Sequence, residues 1–166
     1  MRAGIALGSN LGDRLLSLTT ARQRIFLLAG VTSPFLSSAV YETDAIGCEV
    51  NAATFLNAVV EIGYDGSSRE LLSALQEIET KLGRARDHQP NRSRTIDLDL
   101  LYHGSRTFDE PALQLPHPRL HLRGFVLQPL AEIRPNLVLP GQTKTVRQLA
   151  AELSPSPAVV RSARQW

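Results

Sequence analysis

The chain is predicted to adopt an α+β fold, an antiparallel sheet with helices packed on its faces, of the ferredoxin-like kind. Three observations lead there. Segments with strand-like and helix-like apolar spacing succeed one another in the order β-α-β-β-α-β. The helical segments are bracketed by start and stop signals. The 166 residues carry no repeat, low-complexity tract or linker, so residues 1–166 are read as a single domain.

The elements follow in order. Ala3 to Leu7 is a short buried strand entering the turn Gly8-Ser9-Asn10-Leu11-Gly12-Asp13. Leu15, Leu18, Ile25 and Leu28 then recur at helical spacing, with Gly30 as the expected C-cap. Residues 31 to 43 read as β-like, and 44 to 54 as a loop containing Gly47 and Cys48. Phe55 to Tyr64 is a strand rich in β-branched and aromatic residues. Ser67-Ser68-Arg69-Glu70 has capping-box spacing; Leu71, Leu75, Ile78 and Leu82 form the stripe of the helix it opens, and Gly83 ends it. Residues 84 to 93, with Pro90 and no periodicity, form a loop. A strand containing Asp97 and Asp99 follows, then a turn at His103-Gly104-Ser105 and a short strand through Arg106-Thr107-Phe108. Leu115-Pro116-His117-Pro118 is extended, because each proline restricts the residue before it. Arg123 to Ile133 reads as a short helix, and Thr145 to Gln148 caps a last one.

Composition narrows the function classes. A hydrophobic fraction of 43% and a charged fraction of 20% are ordinary for a soluble globular protein. The net charge of +2 indicates no general surface for polyanions, so nucleic acid is not an expected partner, whereas clustered arginines suit local anion recognition. Cys48, the single cysteine, forms neither an internal disulfide nor a metal-ligand spacing. No run approaches the roughly 20 apolar residues of a membrane span, and the N-terminal apolar run is too short for a signal peptide. The chain is therefore expected in the cytoplasm.

The most telling stretch is Arg94-Thr95-Ile96-Asp97-Leu98-Asp99-Leu100-Leu101. Its period of two places Asp97 and Asp99 on one strand face and Ile96, Leu98 and Leu100 on the other. Adjacent carboxylates repel unless a cation or a shared proton compensates. Mg²⁺ favours such oxygen ligands, often one or two carboxylates together with substrate phosphates. A D-x-D alone also fits a merely solvated strand face, but Arg84, Arg86, Arg92 and Arg94 stand close by in sequence. Carboxylates beside guanidinium groups suit a polyphosphate.

Other side chains are candidates in the same scheme. Glu79 sits near a helix C-terminus, where an acid opposes the helix dipole; it is either surface charge or a group with a task. Gln76, one turn earlier, is placed on the same face and can bond a heterocycle. His117 lies between two prolines, a fixed donor or a structural residue. Arg123 reaches an anion or caps the preceding turn. Phe55 and Phe125 read as core or as stacking platforms. Asn57 within a strand needs partners for its amide, which a planar amide-rich ligand supplies.

Gly8-Ser9-Asn10, Tyr41-Glu42-Thr43, Phe55-Leu56-Asn57-Ala58, Gln76 to Glu79 with Gly83-Arg84, Arg94 to Asp99, Leu115-Pro116-His117, and Arg123 to Leu127 with Pro129-Leu130 occur in a fixed order. In that order the chain resembles, over essentially its whole length, the 6-hydroxymethyl-7,8-dihydropterin pyrophosphokinases of folate biosynthesis. The resemblance implies a ferredoxin-like fold and transfer of the β,γ-diphosphate of ATP to the pterin hydroxymethyl group, with release of AMP. It implies two Mg²⁺ ions on Asp97 and Asp99, and Arg84 and Arg94 acting on the phosphates. It places Gln76, Glu79, Arg86, Leu100, His117 and Arg123 at the nucleotide. The pterin is expected between Phe55 and Phe125, bonded by Asn57, Asp97 and the segment Thr43, Asp44 and Ile46. The implied partners are ATP and the pterin; the hydropathy leads to no membrane partner, and a monomer is expected.

Three positions depart from the family pattern. Pro90-Asn91-Arg92-Ser93 stands where many members have a tryptophan and a Gly-Pro pair, Asp44 replaces a proline, and Asp87 occupies a position that is often basic. Two competing readings are a polymerase-β-like nucleotidyltransferase and a non-catalytic ferredoxin-like ligand-binding module. The first pairs a Gly-Ser turn with a nearby D-x-D, whereas Ser9 and Asp97 are far apart in sequence. The second gives no reason for paired aspartates beside four arginines.

Overall fold

The computed structural model describes residues 1–45, 52–83, 93–153 and 158–166. In chain order its elements are β1 (Arg2–Ser9), α1 (Arg14–Phe26), β2 (Val31–Ser37), β3 (Tyr41–Thr43), β4 (Phe55–Tyr64), α2 (Ser68–Lys81) and β5 (Asp97–His103). Then come β6 (Phe108–Glu110), β7 (Leu113–Leu115), a single 3₁₀ turn (Leu120–Leu122), α3 (Gly124–Ile133), α4 (Val146–Glu152) and β8 (Val159–Arg161).

The main sheet is antiparallel, in the order β5-β1-β4-β3-β8, with β2 also on β4. β1 and β4 are central and read as nearly continuous apolar runs because both of their faces are covered. On one face Ile5, Leu7, Leu56, Val60, Ile62, Leu98 and Leu100 pack against Leu18 and Ile25 of α1 and Leu71, Leu75 and Ile78 of α2. The other face presents Val59, Leu101 and Tyr102 to Val126, Leu127 and Leu130 of α3 and Val146 and Ala150 of α4. These helices cover only part of that second face, and the candidate site occupies its end nearest Ser9 and Asp97.

Local chemistry explains the helix limits. Asp13 caps α1 by accepting from Leu16 N at 3.0 Å. Ser67 and Glu70 close the expected capping box on α2, and Thr145 with Gln148 does the same for α4. Gly83, just past α2, has φ +91°, the left-handed conformation that a glycine adopts without strain. Gly30 has positive φ too, but α1 ends earlier, at Leu27, so Gly30 is not its C-cap.

Other expectations are corrected in detail. Residues 31 to 43 form two strands, β2 and β3, which pair in turn with β4. The short strand expected at 106–108 lies instead at Phe108–Glu110, where β7 pairs with it. β8, unanticipated in sequence, pairs its Val159, Val160 and Arg161 with Thr43, Glu42 and Tyr41 of β3. In β5 the alternation holds as far as Leu100, then a register shift opposite Gly4 and Ile5 sends both Leu101 and Tyr102 toward α3. No helix among the described residues is long and apolar enough to cross a membrane.

Candidate functional site

Residues directly opposite in adjacent strands share a face, and the register assembles the site across three strands. Gly8 of β1 lies opposite both Asn57 of β4 and Asp97 of β5, while Ala6 lies opposite Val59 and Asp99. Asp97 and Asp99 therefore project on the face that α3 partly covers, and Leu98 is buried between the sheet and α2. The two carboxylates are only part-exposed, at 24% and 31%.

Each carboxylate has a guanidinium beside it. Arg94 Nη1 stands 2.9 Å from Asp97 Oδ2, and Arg123 Nη1 donates to Asp99 Oδ2 at 3.0 Å. Arg123 closes the preceding 3₁₀ turn, its backbone N–H donating to Leu120 O at 3.3 Å, while its side chain, which makes no capping bond to α3, meets the Asp99 carboxylate. Its guanidinium carbon is 5.5 Å from the centre of the Phe125 ring, a cation–π distance. His117 Nε2 is 3.9 Å from Asp99 Oδ2. Burial pulls the His117 pKa below the ordinary histidine value, opposed by the Asp99 charge.

Beside the carboxylates, Gly8 leaves the sheet surface without a side chain. A Cβ on Gly8 would stand 3.3 Å from Asn57 Oδ1, 3.9 Å from Phe55 Cδ1 and 4.0 Å from Asp97 Cβ. Gly8 thus leaves a bare floor bordered by an amide, an aromatic ring and a carboxylate. Asn57 is buried and donates from Nδ2 to Thr43 Oγ1 at 2.9 Å, which satisfies part of the amide and ties β3 to the floor. Thr43 is itself buried and Asp44 is exposed.

A cleft of about 420 Å³ opens on the far side of Asp99, lined by Leu98, Leu100, Leu113, Gln114, His117 and neighbouring residues. It brings Leu100, Asp99 and His117 to one opening. Glu79 is buried, and its Oε1 accepts from Leu98 N at 2.7 Å. That bond explains an acid at the helix end: it fixes the strand between the two aspartates. Gln76, one turn earlier on α2, is exposed, whereas Glu79 is buried. Arg84, Arg86 and Ile46 lie outside the described residues.

Sequence reasoning missed the role of Asn10. This buried residue donates from Nδ2 to Ser93 Oγ at 2.9 Å and to Ala53 O at 3.3 Å, and its Oδ1 accepts from Arg94 N at 2.7 Å. One amide therefore joins the first turn to the segment before β4 and the segment before β5. Arg14 acts nearby, bonding Thr54 O at 2.7 Å and Glu42 Oε1 at 3.1 Å. The available signal was an asparagine directly after a buried strand, in a turn whose polar side chains need partners.

Two oxygen ligands on one strand face, with no soft donor beside them, fit a hard divalent cation that completes its shell with water or phosphate. No group of three His, Cys, Asp or Glu able to hold a metal occurs among the described residues. The arrangement as a whole offers cation ligands, anion-binding arginines and a bare amide-bordered floor side by side.

Comparison with known proteins gives the context. Residues 4–135 match the family model of 7,8-dihydro-6-hydroxymethylpterin-pyrophosphokinase (HPPK). The chain is 47% identical over 134 residues to the 2-amino-4-hydroxy-6-hydroxymethyldihydropteridine pyrophosphokinase of Bacillus subtilis, covering 79% of this chain and 77% of that one. It is 40% identical over 156 residues to the protein of the same name from Methylorubrum extorquens, covering 93% and 95%. Among solved structures, wild-type Plasmodium falciparum HPPK-DHPS with pteroate superposes with a TM-score of 0.68 at 15% identity, over 91% of this chain and 42% of that one. The chain thus spans less than half the length of that solved protein, and the likeness there is one of fold.

Proposed function

The chain belongs to the 7,8-dihydro-6-hydroxymethylpterin-pyrophosphokinase family, and from that premise we propose that it moves the β,γ-diphosphate of ATP onto the hydroxymethyl oxygen of 6-hydroxymethyl-7,8-dihydropterin. The new bond joins that oxygen to the β-phosphorus, the α,β-bridging bond breaks, AMP leaves, and the hydroxyl proton is lost to solvent or a neighbouring base. The observation that carries this reading is the row Asn57–Gly8–Asp97, which sets a bare floor directly beside the carboxylate pair.

The residues divide the work by position. Gly8 lets a planar ring lie against the sheet, Phe55 and Phe125 supply aromatic faces, and Asn57 with Thr43, Asp44 and Ile46 offers polar contacts along the ring edge. The cleft with Leu100 and His117 takes the nucleotide, with Gln76, Glu79, Arg86 and Arg123 as further contacts. Asp97 and Asp99 hold two Mg²⁺ ions, which when bound neutralise phosphate charge. Arg84 and Arg94 bind the transferring phosphates, and their fixed charge favours the transition state, where charge spreads over the phosphoryl oxygens. Since Arg94 and Arg123 rest on the carboxylates here, both side chains swing from carboxylate to phosphate as the substrates assemble. Residues 1–166 act as one monomeric domain, in the cytoplasm.

The test is direct. The protein is incubated with ATP, Mg²⁺ and the reduced hydroxymethyl pterin, and the nucleotide product is identified. AMP formed only when the pterin is present supports the reading; ADP, or no turnover, overturns it.

A further inference from the structure

A second charged cluster lies on the α3-covered sheet face, toward the opposite end from the carboxylate pair. Glu61 of β4 is fully buried, at 0% exposure. Arg134 Nη1 sits between its two carboxylate oxygens at 2.6 and 2.5 Å, Arg2 Nη1 donates at 2.6 Å, and Tyr102 Oη donates at 2.6 Å. Tyr102 reaches Glu61 by crossing β1 at Gly4, where any Cβ would collide with its ring. Strands β5, β1 and β4 are thus all shaped around this one carboxylate.

A buried ion pair is a poor device for stability alone, since packed apolar residues of similar volume do as well or better. Its place in the fold suggests another use. Arg134 is the C-cap residue of α3, and Arg123 and Phe125 stand at the other end of that helix. A helix of this length spans about 15 Å. Glu132 ties α3 to a different strand, its Oε2 accepting from Ala39 N at 2.9 Å and Tyr41 Oη at 3.1 Å. Glu132 Oε1 also accepts from Arg161 of β8 at 3.1 Å, and Arg123 holds the other end of the helix on Asp99. Among these ties the one from Arg134 to Glu61 is the only one made to a fully buried carboxylate, and so the one least free to shift.

We propose that Glu61 is a positioning residue for the pterin site: through Arg134 it sets where α3 presents Phe125 and Arg123. This rests on the pterin reading above. Phe125 works as a stacking face only if its ring is held parallel to a ligand on the floor, and a helix rolled by a few degrees tilts it.

The test is a double-mutant cycle read in pterin binding. The full chain is titrated with the reduced hydroxymethyl pterin, in Mg²⁺ and a non-hydrolysable ATP analogue, as wild type, Glu61→Gln, Phe125→Ala and the double variant. Glu61→Gln is expected to weaken pterin binding about tenfold, on the scale that a displaced positioning element costs. In the Phe125→Ala background the same change is expected to cost nothing further, although sites this far apart ordinarily add. Additive losses, or unchanged pterin affinity in Glu61→Gln, overturn the proposal. Arg134→Met removes the same tie from the helix side and takes the place of Glu61→Gln if that variant does not fold. AMP formation by the wild type is scored separately: additive losses in an enzyme that makes AMP remove only the role of Glu61, and absence of AMP removes the proposed function.

Discussion

Asn10 and Arg94 grip each other through two bonds: the Asn10 N–H donates to Arg94 O at 3.1 Å, and the Arg94 N–H donates to Asn10 Oδ1 at 2.7 Å. Arg94, the residue we propose for the phosphates, is therefore held at its backbone as well as through its side-chain ion pair with Asp97. Asn10→Ala removes the second bond and those to Ser93 and Ala53. Each buried group left unpaired costs about 1–3 kcal/mol. We expect a lowered melting temperature, and turnover about tenfold or more below wild type from misplacement of Arg94. Unchanged turnover in steady-state AMP assays would show that the grip is structural only.

Asp97→Ala and Asp99→Ala are each expected to lower AMP formation by at least about a hundredfold, the scale of losing a preorganised charge-stabilising group. Both side chains are part-exposed on the ligand face, so the fold is expected to persist. Mg²⁺-dependent turnover at the wild-type rate in either variant refutes the cation assignment. Circular dichroism melts show whether the fold is retained.

Arg94→Ala separates chemistry from binding. Loss of a fixed positive charge at the transferring phosphates is expected to lower kcat about a hundredfold. Pterin affinity is expected to move by no more than a few-fold, because Phe55 and Asn57 stand on β4 and Phe125 on α3, elements other than the segment that carries Arg94. A rate equal to wild type takes Arg94 out of the phosphate role.

Gly8→Ala tests the floor itself. The added methyl would press on Asn57 Oδ1 at 3.3 Å and stand in the plane a flat ligand needs. Overpacking of this kind costs about 1–3 kcal/mol, here charged mainly to the bound state. Pterin affinity measured by titration should fall about tenfold, with little change in the melting temperature. Full affinity in Gly8→Ala places the ligand elsewhere.

His103 makes a prediction about pH. It is fully buried, with Ser68 Oγ 2.9 Å from Nδ1. Burial lowers its pKa below the ordinary value of 6.5, so the folded state prefers the neutral ring. The unfolded chain takes up the proton first as pH falls, so stability declines from about 6.5 downward until the folded-state pKa is passed. His117 is shifted in the same direction and adds to the slope. Melting temperatures from pH 7.5 to pH 5 should fall more steeply in wild type than in a Ser68→Ala/His103→Phe double variant. Parallel curves would show that protonation of His103 is not coupled to unfolding.

The parts of the fold that local chemistry decides were legible in the chain. The Ser67–Glu70 capping box, the α2 stripe and the shared face of Asp97 and Asp99 depend on spacing alone, and each appears as expected. What escaped notice depends on partners distant in sequence. The Asn10 amide meets Ala53 and Ser93, 43 and 83 positions away, and Glu61 meets Arg134, 73 positions away. Within an apolar strand, Glu61 has no local pattern to mark it. Glu79 stands out in sequence because it opposes its helix dipole, but its partner is a backbone N–H in a strand 19 residues on. The register shift in β5 likewise answers to the crossing of Tyr102 over Gly4, which period-two alternation does not encode.

Because β5 lies at one end of the main sheet, the bond from Leu98 N–H to Glu79 has a further effect. A terminal strand ordinarily exposes a row of free amides that invites an extended segment of another molecule to add on, a route to aggregation. Here that amide is taken by a side chain, and the Leu101 carbonyl is taken by the His117 N–H at 2.8 Å. Two backbone groups on the outer side of the strand that bears both aspartates are thereby occupied, which leaves an added strand fewer partners there.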